Sequence, residues 1–173
     1  MRYNGAMAKR ASAQREQRFW LIKSDPSDLS FDELWAAPKR TTGWDGVRNY
    51  QARNFLREMA QGDGLLFYHS GAEPSGVAGL AEVASAAEPD PTQFERGHAH
   101  FDPRSVRSAP TWLQVQVRAK ERLARVVTLA EIKANPALAQ MRVVQKGSRL
   151  SIQPVTGAEW REVLRMAAAA PAK

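Results

Sequence analysis

Residues 43–59, GWDGVRNYQARNFLREM, join a glycine-rich turn to an amphipathic segment. After the turn, apolar residues recur three and four positions apart, which places them on one face of a helix. This spacing predicts a helix from about Tyr50 to Ala60, with Asn49 as its N-cap, because an asparagine side chain can accept a hydrogen bond from a free backbone amide. The predicted apolar face consists of Ala52, Phe55, Leu56 and Met59.

The turn before this helix holds Trp44 between Gly43 and Gly46. A large indole fixed on a tight turn either fills the core or forms one wall of a stacking pocket. The residues alone favour the core position and leave the pocket open as the alternative. The adjacent helix N-terminus carries free amides and partial positive charge, which suits a phosphate or the electron-rich edge of a ligand.

Short strands and helices flank this stretch on both sides. FWLIKS (19–24) and LLFYHS (65–70) are apolar runs that end in polar residues, so each predicts a buried strand with functional residues at its carboxyl end. Residues 113–119 alternate apolar and polar, which predicts a half-buried strand with a cationic outer face. RLSIQP (149–154) predicts one more short strand.

Three Ser/Thr-x-x-Glu capping boxes, at Ser30, Thr128 and Thr156, predict the starts of short helices. The strands are short, mixed with small helices and not spaced as βαβ units. This organisation predicts an α+β fold built on a curled sheet or barrel. At 173 residues, one compact domain is expected.

Charge divides the chain into segments. The net charge is +7, and residues 1–18 carry +4 in a polar, alanine-rich stretch that predicts a disordered basic arm. Residues 71–95 hold five acids and no base, whereas residues 96–125 hold seven bases and two acids. A basic face of this kind attracts phosphates, and a solvated basic surface without a partner is the open alternative. Residues 168–173 are expected to form a flexible tail.

Several kinds of chemistry are not expected. The chain has no cysteine, which excludes disulfides, thiol nucleophiles and thiolate metal sites. The pair His98 and His100 lacks a third placed ligand, so no metal site or cofactor is expected. No apolar stretch approaches the roughly 20 residues of a membrane helix, and no secretory signal precedes residue 19. We therefore expect a monomer in the cytoplasm, or in the nucleus of a eukaryotic cell, with no membrane partner.

Five sequence blocks occur together in one order and resemble the EVE domain family, of the thymocyte nuclear protein 1 type. They are WLIKSDP (20–26), WDGVRNYQARN (44–54), FYHS (67–70), GLAEV (79–83) and RLSIQPV (149–155). The resemblance covers residues 19–167 and implies a PUA-like fold, a small twisted β-barrel with flanking short helices that is related to the YTH readers of methylated adenine. It also implies a non-catalytic protein that accepts a modified base in a pocket.

Two positions depart from the family pattern. Asp25 stands where the family usually has glutamate, and the loop at residues 71–76 lacks a cysteine that is common there. Aspartate shortens the reach of one carboxylate, which bears on the choice of modification more than on binding.

The resemblance implies that a base of a nucleic acid, for example 5-methylcytosine or 5-hydroxymethylcytosine in DNA, is held outside the stack. Unstacking costs a few kcal/mol, and stacking on an aromatic ring returns roughly 1–3 kcal/mol per base. Trp44 and Tyr68 are the expected rings, and Val47 is the expected apolar wall beside the modification. The other expected pocket residues are Lys23, Ser24, Asp25, Arg48, Asn49, Tyr50, His69, Ser70, Ser151 and Gln153. The expected phosphate contacts are Arg53, Arg104, Arg107, Arg118 and Arg149.

Two other classes of function stay open from the sequence. An enzyme that modifies or hydrolyses nucleic acid would use His69 and Asp25, but the sequence shows no paired carboxylates or triad around them. A protein-interaction module would bind a peptide or small effector and would be insensitive to salt, because only phosphate contacts release counterions.

Overall fold

A computed structural model describes residues 15–169 of the chain. The described part contains eight strands and four α-helices, with short 3₁₀ turns between them. The strands are β1 (Phe19–Ser24), β2 (Thr41–Gly43), β3 (Gly64–His69), β4 (Gly76–Val83), β5 (Glu88–Pro89), β6 (Leu113–Gln114), β7 (Gln116–Thr128) and β8 (Ile152–Val155). The helices are α1 (Phe31–Ala36), α2 (Tyr50–Glu58), α3 (Leu129–Ala134) and α4 (Gly157–Ala168).

Six strands form one mixed sheet in the order β2-β7-β4-β3-β1-β8. β1 pairs in parallel with β3, so that Ser24 lies opposite His69, and it pairs antiparallel with β8 on its other side. β5 and β6 form a separate two-stranded sheet. The sheet curls into a half-barrel with the short helices around it, which confirms the predicted α+β class and PUA-like architecture. The parallel pairing brings the polar ends of β1 and β3 to the same edge.

Alternation along the strands creates a hydrophobic cluster on each face of the sheet. Trp20, Phe67 and Val117 belong to the first cluster, which also holds Trp44 and Leu56 of the 43–59 stretch. The second cluster contains Leu21, Leu66 and Tyr68, together with residues of α3 and α4. Residues next to each other in β1 or β3 therefore face opposite sides of the sheet.

The predicted helix starts are confirmed. Asn49 accepts a hydrogen bond from the amide of Ala52, 3.0 Å away, at the start of α2. Ser30 accepts from the amide of Glu33 at the start of α1, and complete capping boxes open α3 at Thr128 and α4 at Thr156. α2 ends at Glu58, two residues before the predicted end. Among residues 15–169, no helix combines the length and apolarity needed to cross a bilayer.

The buried carboxylate of Asp63 fixes the N-terminal segment to the domain. It accepts hydrogen bonds from the guanidinium of Arg15 at 2.8 Å, the indole of Trp20 at 3.1 Å and the amide of Arg18 at 3.2 Å. Residues 15–18 thus contact the domain, although the sequence placed them in a disordered arm. The rest of that arm, residues 1–14, and residues 170–173 of the predicted tail lie outside the described residues.

We expect Asp63→Ala to lower the free energy of unfolding by about 1–3 kcal/mol, the usual effect of leaving buried donors such as the indole N–H of Trp20 without an acceptor. Denaturant unfolding measures the change. The matched control is Glu58→Ala, because Glu58 makes only an exposed pair with Arg18 at 4.0 Å and should cost less than about 1 kcal/mol. Equal effects of the two substitutions would contradict this role of Asp63.

The same carboxylate predicts a dependence of stability on pH. Burial alone would raise the pKa of Asp63, but hydrogen bonds from Arg15, Trp20 and two amides outweigh it and hold the pKa below its ordinary value. A carboxylate with a lowered folded-state pKa stabilises the protein above its unfolded-state pKa, and this contribution is lost as the pH falls through the folded-state value. The loss on acidification should be smaller in Asp63→Ala than in the parent chain.

Candidate functional site

A cavity of about 900 Å³ opens between the carboxyl end of β1, the turn at residues 43–48 and the segment at residues 148–151. Its volume lies within the range of roughly 300–1,000 Å³ that small-molecule sites occupy. The cavity brings together eight of the predicted pocket residues and one predicted phosphate contact, Arg149. The eight are Lys23, Ser24, Asp25, Trp44, Val47, Arg48, Ser70 and Ser151.

Five predicted pocket residues do not line this cavity: Asn49, Tyr50, Tyr68, His69 and Gln153. The sequence-based prediction also omitted residues that do line it, namely Ser27, Asp28, Leu29, Gly43, Asp45, Gly46, His100 and Ser148. A smaller cavity of about 460 Å³, beside Arg18, Pro154 and Arg161, contains none of the predicted pocket residues. The larger cavity is therefore the candidate site.

Trp44 is mainly a core residue. Its side chain is 8% exposed and packs edge-on against Phe67, with ring centroids 5.7 Å apart. Its backbone amide donates to the carbonyl oxygen of Val115 at 2.8 Å, which fixes the turn against the strands behind it. The indole thus fills the core, as the residues alone favoured, and only a small part of its surface faces the cavity.

Tyr68 cannot form the second aromatic wall. It is buried with Leu66 in the second hydrophobic cluster, whereas Trp44 and Phe67 belong to the first. Because successive side chains of a strand point to opposite faces, the sheet itself separates the ring of Tyr68 from that of Trp44. A base in the cavity can therefore contact the indole but not the phenol.

Arg48 anchors the turn from inside. Its guanidinium donates to Asp90 at 2.9 Å, to the hydroxyl of Thr92 at 3.1 Å and to the carbonyl oxygens of Val47 and His100. These contacts use every N–H that an arginine side chain offers. Arg48 therefore positions the cavity wall and has no free donor for a ligand.

Asp90 completes this anchor. Its carboxylate is fully buried and accepts hydrogen bonds from the amide of Gly46 at 2.8 Å, from Arg48, and from the amide and hydroxyl of Thr92. Burial opposes the charged form, but these donors together lower the pKa of Asp90, so it stays ionised. The Asp-Pro-Thr sequence is an N-cap pattern, which predicts a turn at Asp90 but not its contact with Gly46.

Gly46 is required at its position. Its φ of +78° lies in the left-handed region, and a Cβ there would come within 2.5 Å of the imidazole of His100. The ring of His100 thus packs directly on the backbone of the turn. Its Nδ1 is buried and has no hydrogen-bond partner among the described residues, and no feature of the sequence singled out this contact.

Three more of the predicted pocket residues lie outside the cavity, and Asn49 and Gln153 support its walls. Asn49 caps α2, and Tyr50 is 61% exposed and lies against Trp112, with ring centroids 5.0 Å apart. Gln153 is buried and donates to the hydroxyl of Ser148 and the carbonyl oxygen of Leu150, both at 3.0 Å. Gln153 thus holds the 148–151 segment, while its side chain is closed to a ligand.

His69 and Asp25 do not form an acid–base pair. Nε2 of His69 accepts a hydrogen bond from the amide of Phe31 at 3.1 Å, and burial lowers the pKa of this imidazole. Asp25 accepts from the amide and hydroxyl of Ser27 at 2.9 and 2.8 Å, and these bonds lower its pKa. Nε2 of His69 and Oδ1 of Asp25 are thus engaged in local structure.

The hydrogen-bonding groups left for a ligand are few. Among the cavity residues that the structure describes, six side chains make no hydrogen bond to protein, namely those of Asp28, Asp45, Ser70, His100, Arg149 and Ser151. Burial and the nearby charge of Asp90 raise the pKa of Asp45. Lys23 reaches the carbonyl oxygen of Ser148 at 3.3 Å, and burial lowers its pKa.

The cavity has no excess of positive charge. The lining holds three cations, Lys23, Arg48 and Arg149, and three acids, Asp25, Asp28 and Asp45, and the charge of Arg48 is already paired with Asp90. Among residues 15–169, no group of three His, Cys, Asp or Glu side chains is close enough to hold a metal ion. The lining therefore suits a neutral ligand with polar edges better than a phosphate group.

The predicted phosphate contacts lie in different places. Arg118 points to the sheet face opposite Trp44 and pairs with Glu82 at 3.0 Å, so it does not belong to the surface around the cavity. Arg53 donates to the carbonyl oxygen of Thr111, and Arg107 lies over the ring of Phe94. Arg149 lies at the cavity itself, and Arg104 is exposed on the 102–105 turn.

The family model of the EVE domain matches residues 18–166 of the chain. Human thymocyte nuclear protein 1 is 42% identical over 163 residues, which cover 85% of this chain and 72% of the human protein. The crystal structure of that human protein in complex with DNA containing 5-methylcytosine matches with a TM-score of 0.84 at 41% identity, over 90% of this chain and all of the other.

A more distant similarity concerns the fold alone. The YTH domain of a Zygosaccharomyces rouxii protein, solved in complex with N6-methyladenosine RNA, matches with a TM-score of 0.52 at 19% identity. The match covers 88% of this chain and 87% of the YTH domain. The predicted relation to the YTH fold agrees with this finding.

We expect Trp44→Ala to lower the free energy of unfolding by about 3–5 kcal/mol, because it leaves a void beside Phe67 in the core. Denaturant unfolding measures the change, and Tyr50→Ala, at an exposed ring six residues away, serves as the control with an expected cost below about 1 kcal/mol. A Trp44→Ala protein as stable as the parent would show that the indole is a ligand wall without a core role.

Proposed function

The chain belongs to the EVE domain family, and we propose that it is a non-catalytic module that binds nucleic acid and reads one modified base. The base, for example 5-methylcytosine or 5-hydroxymethylcytosine in DNA, would enter the 900 Å³ cavity beside the 43–48 turn. The observation that carries this proposal is a cavity without excess positive charge, fixed by a buried ion pair, in a chain 41% identical to a human protein crystallised with 5-methylcytosine-containing DNA.

The charge of the lining supports a base as the ligand. A nucleobase is uncharged, whereas a phosphate carries negative charge and would meet Asp25, Asp28 and Asp45 in the lining. Moving an uncharged ring with polar edges from water into this cavity costs less desolvation free energy than moving an anion. The lining therefore favours a base inside the cavity and the phosphate outside it.

The walls provide apolar contact on two sides. Val47 and Leu29 line the cavity together with the exposed part of Trp44. A methyl or hydroxymethyl group on the base would fit into the space beside these side chains and contact Val47. Full stacking on an aromatic ring contributes roughly 1–3 kcal/mol. The indole of Trp44 is only 8% exposed and offers part of a ring face, so hydrogen bonds to the base edge must supply most of the selectivity.

Asp45 is the proposed edge contact. Its carboxylate lines the cavity and has no hydrogen-bond donor among the described residues. An ionised carboxylate accepts hydrogen bonds and cannot donate them. It would therefore favour a base with an exocyclic amino group, such as cytosine, over a base with a carbonyl oxygen at the same position, such as thymine.

We expect Asp45→Asn to reduce the preference for 5-methylcytosine over thymine by about 10-fold or more, since a hydrogen bond to a charged group contributes about 1.5–3 kcal/mol. The two bases carry the same methyl group and differ at N3 and at the exocyclic position, so their comparison tests the reading of the base edge separately from the methyl group. Fluorescence anisotropy with matched oligonucleotides measures the ratio of affinities. Asp32→Asn, at an exposed carboxylate on α1, is the control, and an unchanged ratio in Asp45→Asn would remove Asp45 from the reading edge.

We propose that binding leaves the nucleic acid unchanged. A catalyst needs a group placed to transfer a proton or activate water. Nε2 of His69 is occupied by the amide of Phe31, and Asp25 is occupied by Ser27. The occupied groups support a reader over the enzyme that the sequence left open.

The test is incubation of the protein with oligonucleotides that carry 5-methylcytosine, 5-hydroxymethylcytosine or N6-methyladenine, with and without Mg²⁺, Mn²⁺ or Zn²⁺. Mass spectrometry of the nucleosides and denaturing gels of the strands should show no product. Turnover or strand cleavage that disappears in His69→Ala or Asp25→Asn would overturn the assignment and identify an enzyme.

We also propose that the protein acts as a monomer without a cofactor, in the cytoplasm or in the nucleus of a eukaryotic cell. The similarity to thymocyte nuclear proteins of human and rat supports the nuclear alternative. Light scattering of the free protein and of its complex would test the monomer.

A further inference from the structure

We infer that the sugar-phosphate backbone of the bound nucleic acid runs along the basic edge, which we define as Arg142, Lys146 and Arg149. The inference rests on the proposed function, because it places the phosphates relative to a base in the cavity. It keeps Arg149 from the expected phosphate contacts and replaces the others, most of which lie on residues 96–125, with Arg142 and Lys146.

The cations of β7 are already neutralised. Arg118 and Lys120 both pair with Glu82, at 3.0 and 3.7 Å. Further along the strand, Arg122 pairs with Asp32 at 2.7 Å and Arg125 pairs with Glu131 at 2.8 Å. A cation that has a carboxylate partner attracts a phosphate less, because the two charges cancel at a distance. The β7 part of the cationic face that the sequence predicted is therefore largely neutralised.

The basic edge has the opposite character. Residues 132–158 contain four bases and no aspartate or glutamate. Arg142, Lys146 and Arg149 are exposed and make no ion pair within the described residues. A positive stretch without acids keeps its full attraction for phosphate and releases counterions when it binds.

Local contacts hold this edge at the mouth of the cavity. Lys23 and Gln153 both bond to Ser148, which fixes the segment between Lys146 and Arg149. The guanidinium of Arg142 lies over the ring of Phe55, 5.5 Å from its centroid, which leaves its N–H groups free to point outward. Arg149 itself lines the cavity. A base that enters the cavity thus leaves its own phosphate beside Arg149.

The experiment compares two double variants that remove the same residue types and the same charge. Lys146→Gln with Arg149→Gln removes part of the basic edge, and Lys120→Gln with Arg118→Gln removes two cations of β7. Affinity for a modified DNA duplex is measured against salt concentration, and thermal melting confirms that both variants fold. Each phosphate contact contributes a slope of about 0.9 in log affinity against log salt.

In the Lys146→Gln, Arg149→Gln variant, we expect the slope of log affinity against log salt to become about 2 smaller in magnitude. In the Lys120→Gln, Arg118→Gln variant, the slope should stay within about 0.5 of the parent value, since only free cations release counterions. Adding Arg142→Gln to the first variant should bring the loss to about 3. The ratio of modified to unmodified affinity should stay constant, because phosphate contacts position the strand and base contacts specify it.

A slope that stays unchanged in the first variant, or that falls equally in both, would overturn the inference and leave the proposed function standing. Equal affinity of the parent chain for modified and unmodified duplexes would instead contradict the proposed function, while the slopes would still locate the phosphates. The same salt titration with a single-stranded RNA of the same sequence distinguishes RNA from duplex DNA as the source of the phosphates. For a single strand, each phosphate contact contributes a slope of about 0.7 in log affinity against log salt.

Discussion

The buried ion pair between Arg48 and Asp90 is the constraint on which the candidate site depends. Asp90 holds the amide of Gly46 while Arg48 holds the carbonyl oxygens of Val47 and His100. Two segments distant in sequence are thereby locked into one wall. Breaking one partner of such a pair costs about 3–5 kcal/mol, because the other charge stays buried. The cavity is therefore preformed, and a ligand need not order it.

This constraint separates the polar residues into two groups. The first group forms its hydrogen bonds with the protein and holds the structure around the cavity without contacting a ligand. It consists of Arg48, Asn49, His69 and Gln153. The groups left over lie on the cavity surface. Of the unpaired cations of the basic edge, Arg149 lies at the mouth of the cavity, whereas Arg142 and Lys146 do not line it. Under the proposed function, selectivity and general affinity would arise from different residues, because base contacts specify and phosphate contacts position the strand.

The sequence predicted the helix after Asn49, the capping boxes and the polar ends of β1 and β3, because these depend on neighbours along the chain. It could not predict the contact of Asp90 with Gly46, which joins segments 44 positions apart. The resemblance implied Tyr68 as a pocket ring, and the period of two in β3 puts it on the other face. Arg118 was expected at phosphates because it lies on the cationic outer face of a predicted strand, and its pairing with Glu82 crosses between strands and cannot be seen in that pattern.

The central claim is that a modified base occupies the cavity beside the 43–48 turn. Nuclear magnetic resonance of the ¹⁵N-labelled protein tests it directly, by titration with two duplexes that differ only in one 5-methylcytosine. The account predicts that shifts specific to the modified duplex concentrate at the amides of Asp45, Gly46, Ser70 and Ser151 and at the indole of Trp44. Modification-specific shifts on the opposite face of the sheet, around Tyr68 or Arg118, would contradict it.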